Sequence, residues 1–339
     1  MPYNTILLAH GSGGRLTHDL ISDIFLRHFD NPLLATQDDA AVVVLAASGP
    51  VRLAFSTDSY VVQPIFFPGG DIGKLAVCGT VNDLSMVGAR PLYLSAGFIL
   101  EEGLLVSDLE RVVASMAQTA ADAGVQVIAG DTKVVDRGKC DQVFVNTAGV
   151  GLVPQDVDIS GANARPGDVV ILSGPIGMHG LAVMCQREGL RFTLPLESDC
   201  APLNGLVQAM LFADSRIHCL RDPTRGGLAT TLNELAQQSK MGIDIEETSV
   251  SVPEGVRAGC EILGLDPLYV ANEGKLVAVA SLEAESALLS AMRGHPHGRQ
   301  AAVIGHVTAG HPGRVVLRTS FGAQRILDML TGAQLPRIC

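Results

Sequence analysis

The chain lacks the features of several protein classes. It has no tryptophan among its 339 residues, and aromatic side chains make up only 4%. Binding of single-stranded nucleic acid uses aromatic platforms beside a basic groove, and the net charge of −11 repels polyanions and anionic lipid. The longest purely apolar run, residues 40–47, is far shorter than the roughly 20 residues needed to cross a bilayer. We therefore expect neither a nucleic-acid partner nor a membrane span.

Several common site motifs are also absent. The seven cysteines are scattered and form no CxxC pair, a pattern that suits free thiols in a reducing cytoplasm. The histidines form no HxxxH or HExxH, and the amino terminus lacks the basic segment of a secretory signal. The segment PGGDIGKL has Pro68 where the first glycine of a P-loop belongs, and GxGxxG does not occur. A P-loop enzyme and a nicotinamide-binding Rossmann protein therefore have no support, and we expect a cytoplasmic protein.

Apolar periodicity is strong along the chain. It predicts strands at 41–47, 52–57, 91–100, 141–152, 168–173, 276–281 and 301–307, and helices at 72–87, 107–123, 179–188, 201–213 and 226–239. Because strands and helices do not alternate strictly, the expected class is α+β, built of α/β layers, rather than a doubly wound parallel sheet. The polar stretch 154–167 predicts a boundary between domains at 1–155 and 165–328, followed by a mobile tail at 329–339.

Acidic residues recur at the ends of predicted strands or within an apolar helix. They are Asp38, Asp39, Asp58, Asp83, Asp131 and Asp222, with Asn82 beside one of them. No matching cluster of lysine or arginine accompanies them, and oxygen ligands of this kind suit a hard cation. We predict Mg²⁺ ligation by all of these carboxylates except Asp38, which we assign to the nucleotide. Magnesium is usually completed by phosphate oxygens, so a nucleotide is the expected ligand. A structural polar network is the alternative.

Glycine-rich backbone occurs at 10–14, at 69–70 and at Gly226-Gly227, where a predicted helix begins beside Arg225. Such helix starts attract anions. Lys74 and Lys133 are either solvated lysines or contacts for phosphate or substrate. Glu273, at the entry to a strand, is either a turn residue or a general base. The final Cys339 is not a prenylation box, which needs its cysteine fourth from the end.

Segments throughout the chain resemble the hydrogenase expression/formation family HypE, the carbamoyl dehydratases of [NiFe]-hydrogenase maturation. They are QDDAAV, FSTDSYVVQPIFFPGGDIGKLAVCGTVNDLSMVGARP, AGDTKVV, RDPTRGGLATTLNELA, ANEGKL and PRIC. The resemblance implies an aminoimidazole ribonucleotide synthetase-like fold of two domains with mixed or antiparallel sheets, dimerised through the N-terminal domains. ATP and Mg²⁺ are expected near the interdomain cleft, with Asn82 and the run Thr224–Gly227 among the nucleotide contacts. Met178 stands where relatives often carry aspartate.

The resemblance also implies a reaction. A partner carbamoyltransferase loads the Cys339 thiol, and ATP then drives dehydration of the S-carbamoyl group to S-cyanide. An iron-scaffold maturation complex accepts the cyanide. Glu273 and Lys133 are the expected residues for proton removal and for steadying the carbamoyl oxygen, and the tail could reach roughly 30 Å when extended. Two readings compete with this one. A selenophosphate-type or purine-pathway synthetase needs no terminal cysteine, and a non-enzymatic scaffold needs no cluster of aspartates.

Overall fold

The computed structural model describes residues 14–20, 22, 36–46, 50–190, 196–330, 332 and 337–339. The glycine-rich run predicted at 10–14 lies outside the described residues except for Gly14. Part of the predicted tail lies outside them as well, so its mobility stays a prediction.

The first half of the chain forms a five-stranded sheet covered on one face by helices. The strands, in the order β1-β2-β7-β5-β6, are β1 Ala41–Ala46, β2 Pro50–Tyr60, β7 Val143–Val153, β5 Arg90–Glu101 and β6 Gln126–Val135. The helices are α1 Arg15–Leu20, α2 Ile72–Met86 and α3 Val106–Ala123. A two-stranded ribbon, β3 Phe66–Phe67 and β4 Gly70–Asp71, precedes α2. The β5–β6 pair is parallel because α3 returns the chain between its strands, and the other pairs are antiparallel.

The two faces of this sheet differ in exposure. Along β2, Ala54, Ser56 and Tyr60 are buried, whereas the alternate residues Phe55 and Ser59 are exposed. The buried side faces α2, since Thr147 on β7 donates a hydrogen bond to the carbonyl of Ala76 on that helix. Nearly every residue of α2 is buried. The other face of the sheet is open in this chain and carries exposed apolar side chains. Those on β2 and β5 are Phe55, Tyr93 and Ile99.

The second half forms a seven-stranded mixed sheet with helices packed around it. The strand order is β14-β13-β10-β12-β8-β11-β9. The strands are β8 Val169–Leu172, β9 Ile217–Arg221, β10 Gly242–Glu246, β11 Val277–Ala280, β12 Ala302–Thr308, β13 Val315–Arg318 and β14 Gln324–Leu327. The helices are α4 Met178–Glu188, α5 Asn204–Ala213, α6 Gly227–Ser239, α7 Glu254–Leu263 and α8 Glu285–Gly294. Strands β8 and β11, buried at every position, form the centre of the core.

The α+β class is confirmed, and each predicted strand and helix has a counterpart within a few residues. The segment Asn82-Asp83 does not interrupt its helix, because the polar groups of both side chains find partners while α2 continues to Met86. The division of the chain into two domains and a tail stays a prediction. No helix in the described part of the chain is long and apolar enough to span a bilayer.

Helix α2 joins the two halves. Asn82 on this helix donates hydrogen bonds to the carbonyls of Ala201 (3.2 Å) and Glu273 (3.4 Å), and its Oδ1 accepts one from the Leu203 amide (2.8 Å). Asn82 is 1% exposed. Buried polar groups need partners, and here all the partners of the side chain belong to the second half.

Candidate active site

A cavity of about 560 Å³ lies where the two halves meet. Its described lining includes Cys339, Glu273 and the carboxylates predicted as metal ligands, apart from Asp131. Nine of the fifteen predicted site residues line it: Asp38, Asp39, Asp58, Asp83, Asp222, Thr224, Arg225, Glu273 and Cys339. The fold therefore gathers residues that are separated by as many as 301 positions in the chain.

Three carboxylates face one another across the cavity. Asp58 comes from β2, Asp83 from α2 and Asp222 from the residue after β9. Asp83 accepts a hydrogen bond of 2.7 Å from the hydroxyl of Ser56. Burial, and then repulsion by neighbouring carboxylates, raises the pKa of Asp83 well above its usual value. Burial also raises the pKa of Asp222, to about 6. This excess of negative charge favours a cation in the cavity.

A second acidic group is already paired. Asp39 lies 3.1 Å from the Arg221 guanidinium, which also contacts Glu234 at 3.0 Å. Burial raises the pKa of Asp39 even though Arg221 acts in the opposite direction. Asp38 accepts hydrogen bonds from the Ser160 hydroxyl and the Gly161 amide, which hold its carboxylate against the second half. Asp39 is thus less available to a metal ion than Asp58 or Asp222.

The RDPTRGG segment forms a tight turn into α6. Gly226 and Gly227 both have positive φ, 78° and 61°. A Cβ on Gly227 would lie 2.7 Å from the carbonyl oxygen of Leu268, so no side chain fits there. The turn brings Thr224 and Arg225 to the cavity wall, while the two glycines do not line it. Cys339 is the neighbour that most strongly raises the pKa of Arg225.

The last three residues reach the cavity along the end of β2. The Val61 amide donates to the Cys339 carbonyl (3.1 Å), and the Gln63 amide donates to the Arg337 carbonyl (3.2 Å). Ile338 is buried in a core cluster with residues of both halves. Burial raises the pKa of the Cys339 thiol to about 12, despite the nearby Arg225. In this position the free thiol is neutral at physiological pH.

Glu273 is buried beneath the cavity. It is 3% exposed, and its Oε1 has no hydrogen-bond partner among the described residues. Burial raises the pKa of Glu273 well above its usual value, and the nearby Cys200 and Asp222 add to this effect. A buried carboxyl with an unpartnered oxygen facing a reaction cavity has the properties of a general acid or base.

Two predicted site residues lie on the other face of the sheet. Asp131 and Lys133 form an ion pair of 2.6 Å on the edge strand β6, with side chains that are 71% and 69% exposed. Asp131 pairs with Gly97 of β5, Gly97 pairs with Asn146 of β7, and Asn146 pairs with Ser59 of β2. These residues form one row across the sheet, on its open face. Asp58 belongs to the alternate row that faces α2. Within one chain, therefore, this pair is not brought to Cys339.

Two more predicted contacts are engaged elsewhere. Lys74 donates a hydrogen bond of 2.9 Å to the Gly69 carbonyl, and Asn82 connects the two halves. Neither lines the cavity. Their roles in nucleotide binding, like the other residue assignments, stay predictions.

Part of the cavity lining was not predicted from the sequence. Ser56, Arg221 and Glu234 face the cavity, and His18 on α1 contacts Glu234 at 2.8 Å. No local sequence pattern indicated these residues, because Arg221 pairs with Asp39 and Glu234, which lie far from it in the chain or outside its own motif. Among the described residues, no three histidine, cysteine or acidic side chains converge closely enough to hold a metal by themselves.

Comparisons with known proteins agree along the whole chain. Residues 37–153 match the family model of the N-terminal domain of AIR synthase related proteins, and residues 165–318 match that of the C-terminal domain. The chain is 55% identical to carbamoyl dehydratase HypE of Azotobacter vinelandii, over 99% of this chain and 97% of the relative. It is 47% identical to carbamoyl dehydratase HypE of Escherichia coli K12, over 99% and 100%.

Solved structures give the same result. A crystal structure of hydrogenase maturation protein HypE in complex with ATP has a TM-score of 0.83 and 57% identity, covering 99% of this chain and 100% of that one. A HypE–HypF complex matches with a TM-score of 0.86 and 47% identity, covering 92% and 99%. Thiamine monophosphate kinase from Aquifex aeolicus, at 19% identity and a TM-score of 0.65 over 92% and 99%, shares the fold alone.

Proposed function

The chain belongs to the HypE family of carbamoyl dehydratases, and we propose that it uses ATP to dehydrate an S-carbamoyl group on its own Cys339 to S-cyanide. The observation that carries this proposal is the position of Cys339. Its side chain lies in a cavity with Glu273, Arg225 and several carboxylates. A sulfur that carries a substrate needs this proximity to acidic and basic groups.

The chemistry explains why ATP is required. Converting Cys–S–C(=O)–NH₂ to Cys–S–C≡N breaks the carbon–oxygen bond, and oxide or hydroxide is a poor leaving group. Transfer of the terminal phosphoryl group of ATP to the carbamoyl oxygen makes phosphate the leaving group instead. Two N–H protons are lost, one as the oxygen is phosphorylated and one as phosphate departs. The products are the S-cyanide, ADP and phosphate.

Glu273 is the proposed base. Its side chain lines the same cavity as Cys339, its Oε1 has no partner among the described residues, and its raised pKa makes it a stronger base once it is ionised. Arg225 stabilises negative charge near the sulfur because its guanidinium is the strongest positive neighbour of Cys339. The burial of Glu273 limits the access of bulk water, which would hydrolyse an activated intermediate.

The carboxylates fit Mg²⁺ bound with ATP. Asp58, Asp83 and Asp222 offer oxygen ligands only, and the pKa values of the latter two are raised by burial and mutual repulsion, which a cation would relieve. They do not close a site alone, so phosphate oxygens would complete the coordination. When bound, Mg²⁺ would neutralise charge on the transferred phosphoryl group. Thr224 and Arg225, which line the cavity, are proposed to hold the phosphates, with Asp38 and Lys74 as further candidates for nucleotide contact. Gly226, Gly227 and Asn82 are proposed to act by shaping the site.

We propose a homodimer formed through the open face of the first sheet. This face exposes Phe55, Tyr93 and Ile99, and an apolar sheet face of this kind is typical of an interface. Asp131 and Lys133 lie on it, so a second copy is needed for them to act in metal binding and in steadying the carbamoyl oxygen.

Loading requires a partner. A thiol whose pKa is about 12 is not a nucleophile inside the cavity. We therefore propose that the tail swings out to a carbamoyltransferase, returns for dehydration, and swings out again to deliver cyanide to an iron-scaffold complex. The solved HypE–HypF complex of a relative supports docking of a partner protein.

Intact-protein mass spectrometry tests the proposal. The full chain is incubated with the carbamoyltransferase, carbamoyl phosphate and ATP, and the expected result is a gain of one carbamoyl group followed by the loss of one water. Cys339→Ala should remove both changes and keep ATP binding, whereas Cys140→Ala, at a buried thiol outside the cavity, should keep both. Modification of another cysteine, or loss of ATP affinity in Cys339→Ala, would contradict the carrier role.

A further inference from the structure

A buried histidine from the second half of the chain contacts the tail. His179, in the first turn of α4, is 0% exposed, and its Nε2 lies 2.7 Å from the carbonyl oxygen of Ile338. Its Nδ1 lies 2.7 Å from the hydroxyl of Ser198. We propose that His179 is the positioning residue that holds the tail inward and thereby aligns Cys339 for dehydration, an inference that rests on the proposed function.

The chemistry of the two contacts fixes the state of the ring. A carbonyl oxygen can only accept, so Nε2 carries the proton and donates it to Ile338. The Ser198 hydroxyl donates to the unprotonated Nδ1 and itself accepts a hydrogen bond from the Cys200 amide at 3.0 Å. Burial lowers the pKa of His179, which agrees with a neutral ring. The chain Cys200–Ser198–His179 therefore presents one N–H in a fixed direction toward the tail.

The surroundings hold the ring in place. The imidazole and the Phe67 ring are perpendicular, with their centres 5.4 Å apart. Gly177, at the start of α4, donates its amide to Asn272 (2.7 Å), and the Gly180 amide donates to the Ala271 carbonyl (3.0 Å), so the backbone on both sides of His179 is tied down. A group this rigid suits positioning, because little freedom is lost when the tail binds.

The other hydrogen bonds to tail carbonyls lie on either side of Ile338. The Val61 amide donates to Cys339, and the Gln63 amide and the Arg187 guanidinium both donate to Arg337. The Ile338 carbonyl receives its hydrogen bond from His179 inside the protein. The residue that bears this carbonyl directly precedes Cys339. Loss of the bond would leave a buried carbonyl unpaired and free the carrier residue to leave the cavity.

Access to Cys339 provides the direct test. The full chain without ATP is treated with iodoacetamide, and alkylation of Cys339 is followed by peptide mass spectrometry. We expect His179→Phe to increase the alkylation rate by about tenfold, the effect of one lost buried hydrogen bond. His179→Gln, whose amide N–H can reach the same carbonyl, should restore the rate to within about twofold of the original. His306→Phe, at an exposed histidine of β12, is the matched control and should change nothing.

Kinetics separate positioning from folding. With a preloaded tail, His179→Phe should slow dehydration several-fold without changing the KM for ATP or the rate of loading by the carbamoyltransferase. If His179→Phe does not fold, Ser198→Ala, which removes the orienting hydroxyl, should still raise alkylation by about threefold. Unchanged alkylation in the folded variants, or failure of His179→Gln to restore it, would overturn the inference. If the unaltered protein shows no loss of water, the proposed function is refuted instead. The alkylation test remains valid in that case, because it is made without ATP and does not depend on dehydration.

Discussion

Asn82 offers the sharpest test of how the two halves are joined. In Asn82→Ala, the buried Leu203 amide loses its acceptor and the Ala201 carbonyl loses its donor. An unpaired buried group of this kind costs about 1–3 kcal/mol, so the two together predict a loss of about 3 kcal/mol in the free energy of unfolding. For a chain of 339 residues the melting temperature should fall by about 4 °C, since the unfolding entropy is about 2.1 cal/mol/K per residue.

The assay combines thermal unfolding with ATP binding measured well below the transition. Because the polar atoms of Asn82 are engaged with the second half, ATP affinity at low temperature should change by less than about threefold. Gln118→Ala is the matched control, since its amide contacts Asp122 on the exposed side of α3 and its loss should cost less than about 0.5 kcal/mol. A destabilisation below about 1 kcal/mol, accompanied by loss of ATP binding, would refute this reasoning and favour a direct nucleotide contact.

Further predictions concern the turn, the carboxylates and the open face. Gly227→Ala should destabilise the protein by more than about 2 kcal/mol and weaken ATP binding, whereas Gly264→Ala, with a similar φ of 67° but free space around it, should cost about 1 kcal/mol in thermal unfolding. The pKa of Asp222 is raised to about 6, so the folded protein binds a proton at this carboxyl more tightly than the unfolded chain does. The free energy of unfolding should therefore fall as the pH rises from about 4 to 6. Asp222→Asn should therefore be more stable than the unaltered protein at pH 7 by up to about 3 kcal/mol in urea unfolding without Mg²⁺, and an unchanged pH profile would contradict this. Lys133→Ala mixed with Cys339→Ala should regain part of the dehydration activity if a second copy supplies Lys133, and no recovery in a proven mixed dimer would exclude that arrangement.

Much of the fold could be predicted from the sequence because its elements have clear periodicity. Helix α2 is apolar along almost its whole length, and strands β8 and β11 are short apolar runs between turn residues. The edge strand β14 was missed because Gln324 and Arg325 are exposed and give no apolar pattern. Helices α7 and α8 were missed although α7 has a distinct buried side at Val256 and Cys260, since neither begins with a side-chain cap.

The candidate site could be predicted in composition but not in arrangement. The acidic motifs indicated which residues matter, and most of them do meet at one cavity. Which face of a strand a residue occupies depends on the register, however, and the register of β6 places Asp131 and Lys133 away from Asp58. The pairing of Arg221 with Asp39 and Glu234 joins residues from distant parts of the chain, and no local pattern specifies it.

Adjacent residues on α2 serve two different environments. Asn82 is fastened to the second half, and the next residue, Asp83, projects a carboxylate into the cavity opposite Asp222. If one half slides relative to the other, the buried helix α2 moves with it, and the distance between the Asp83 and Asp222 carboxylates changes. Distance measurements between spin labels on the two halves, made with and without nucleotide, would therefore report indirectly on the spacing of the carboxylates proposed to bind Mg²⁺.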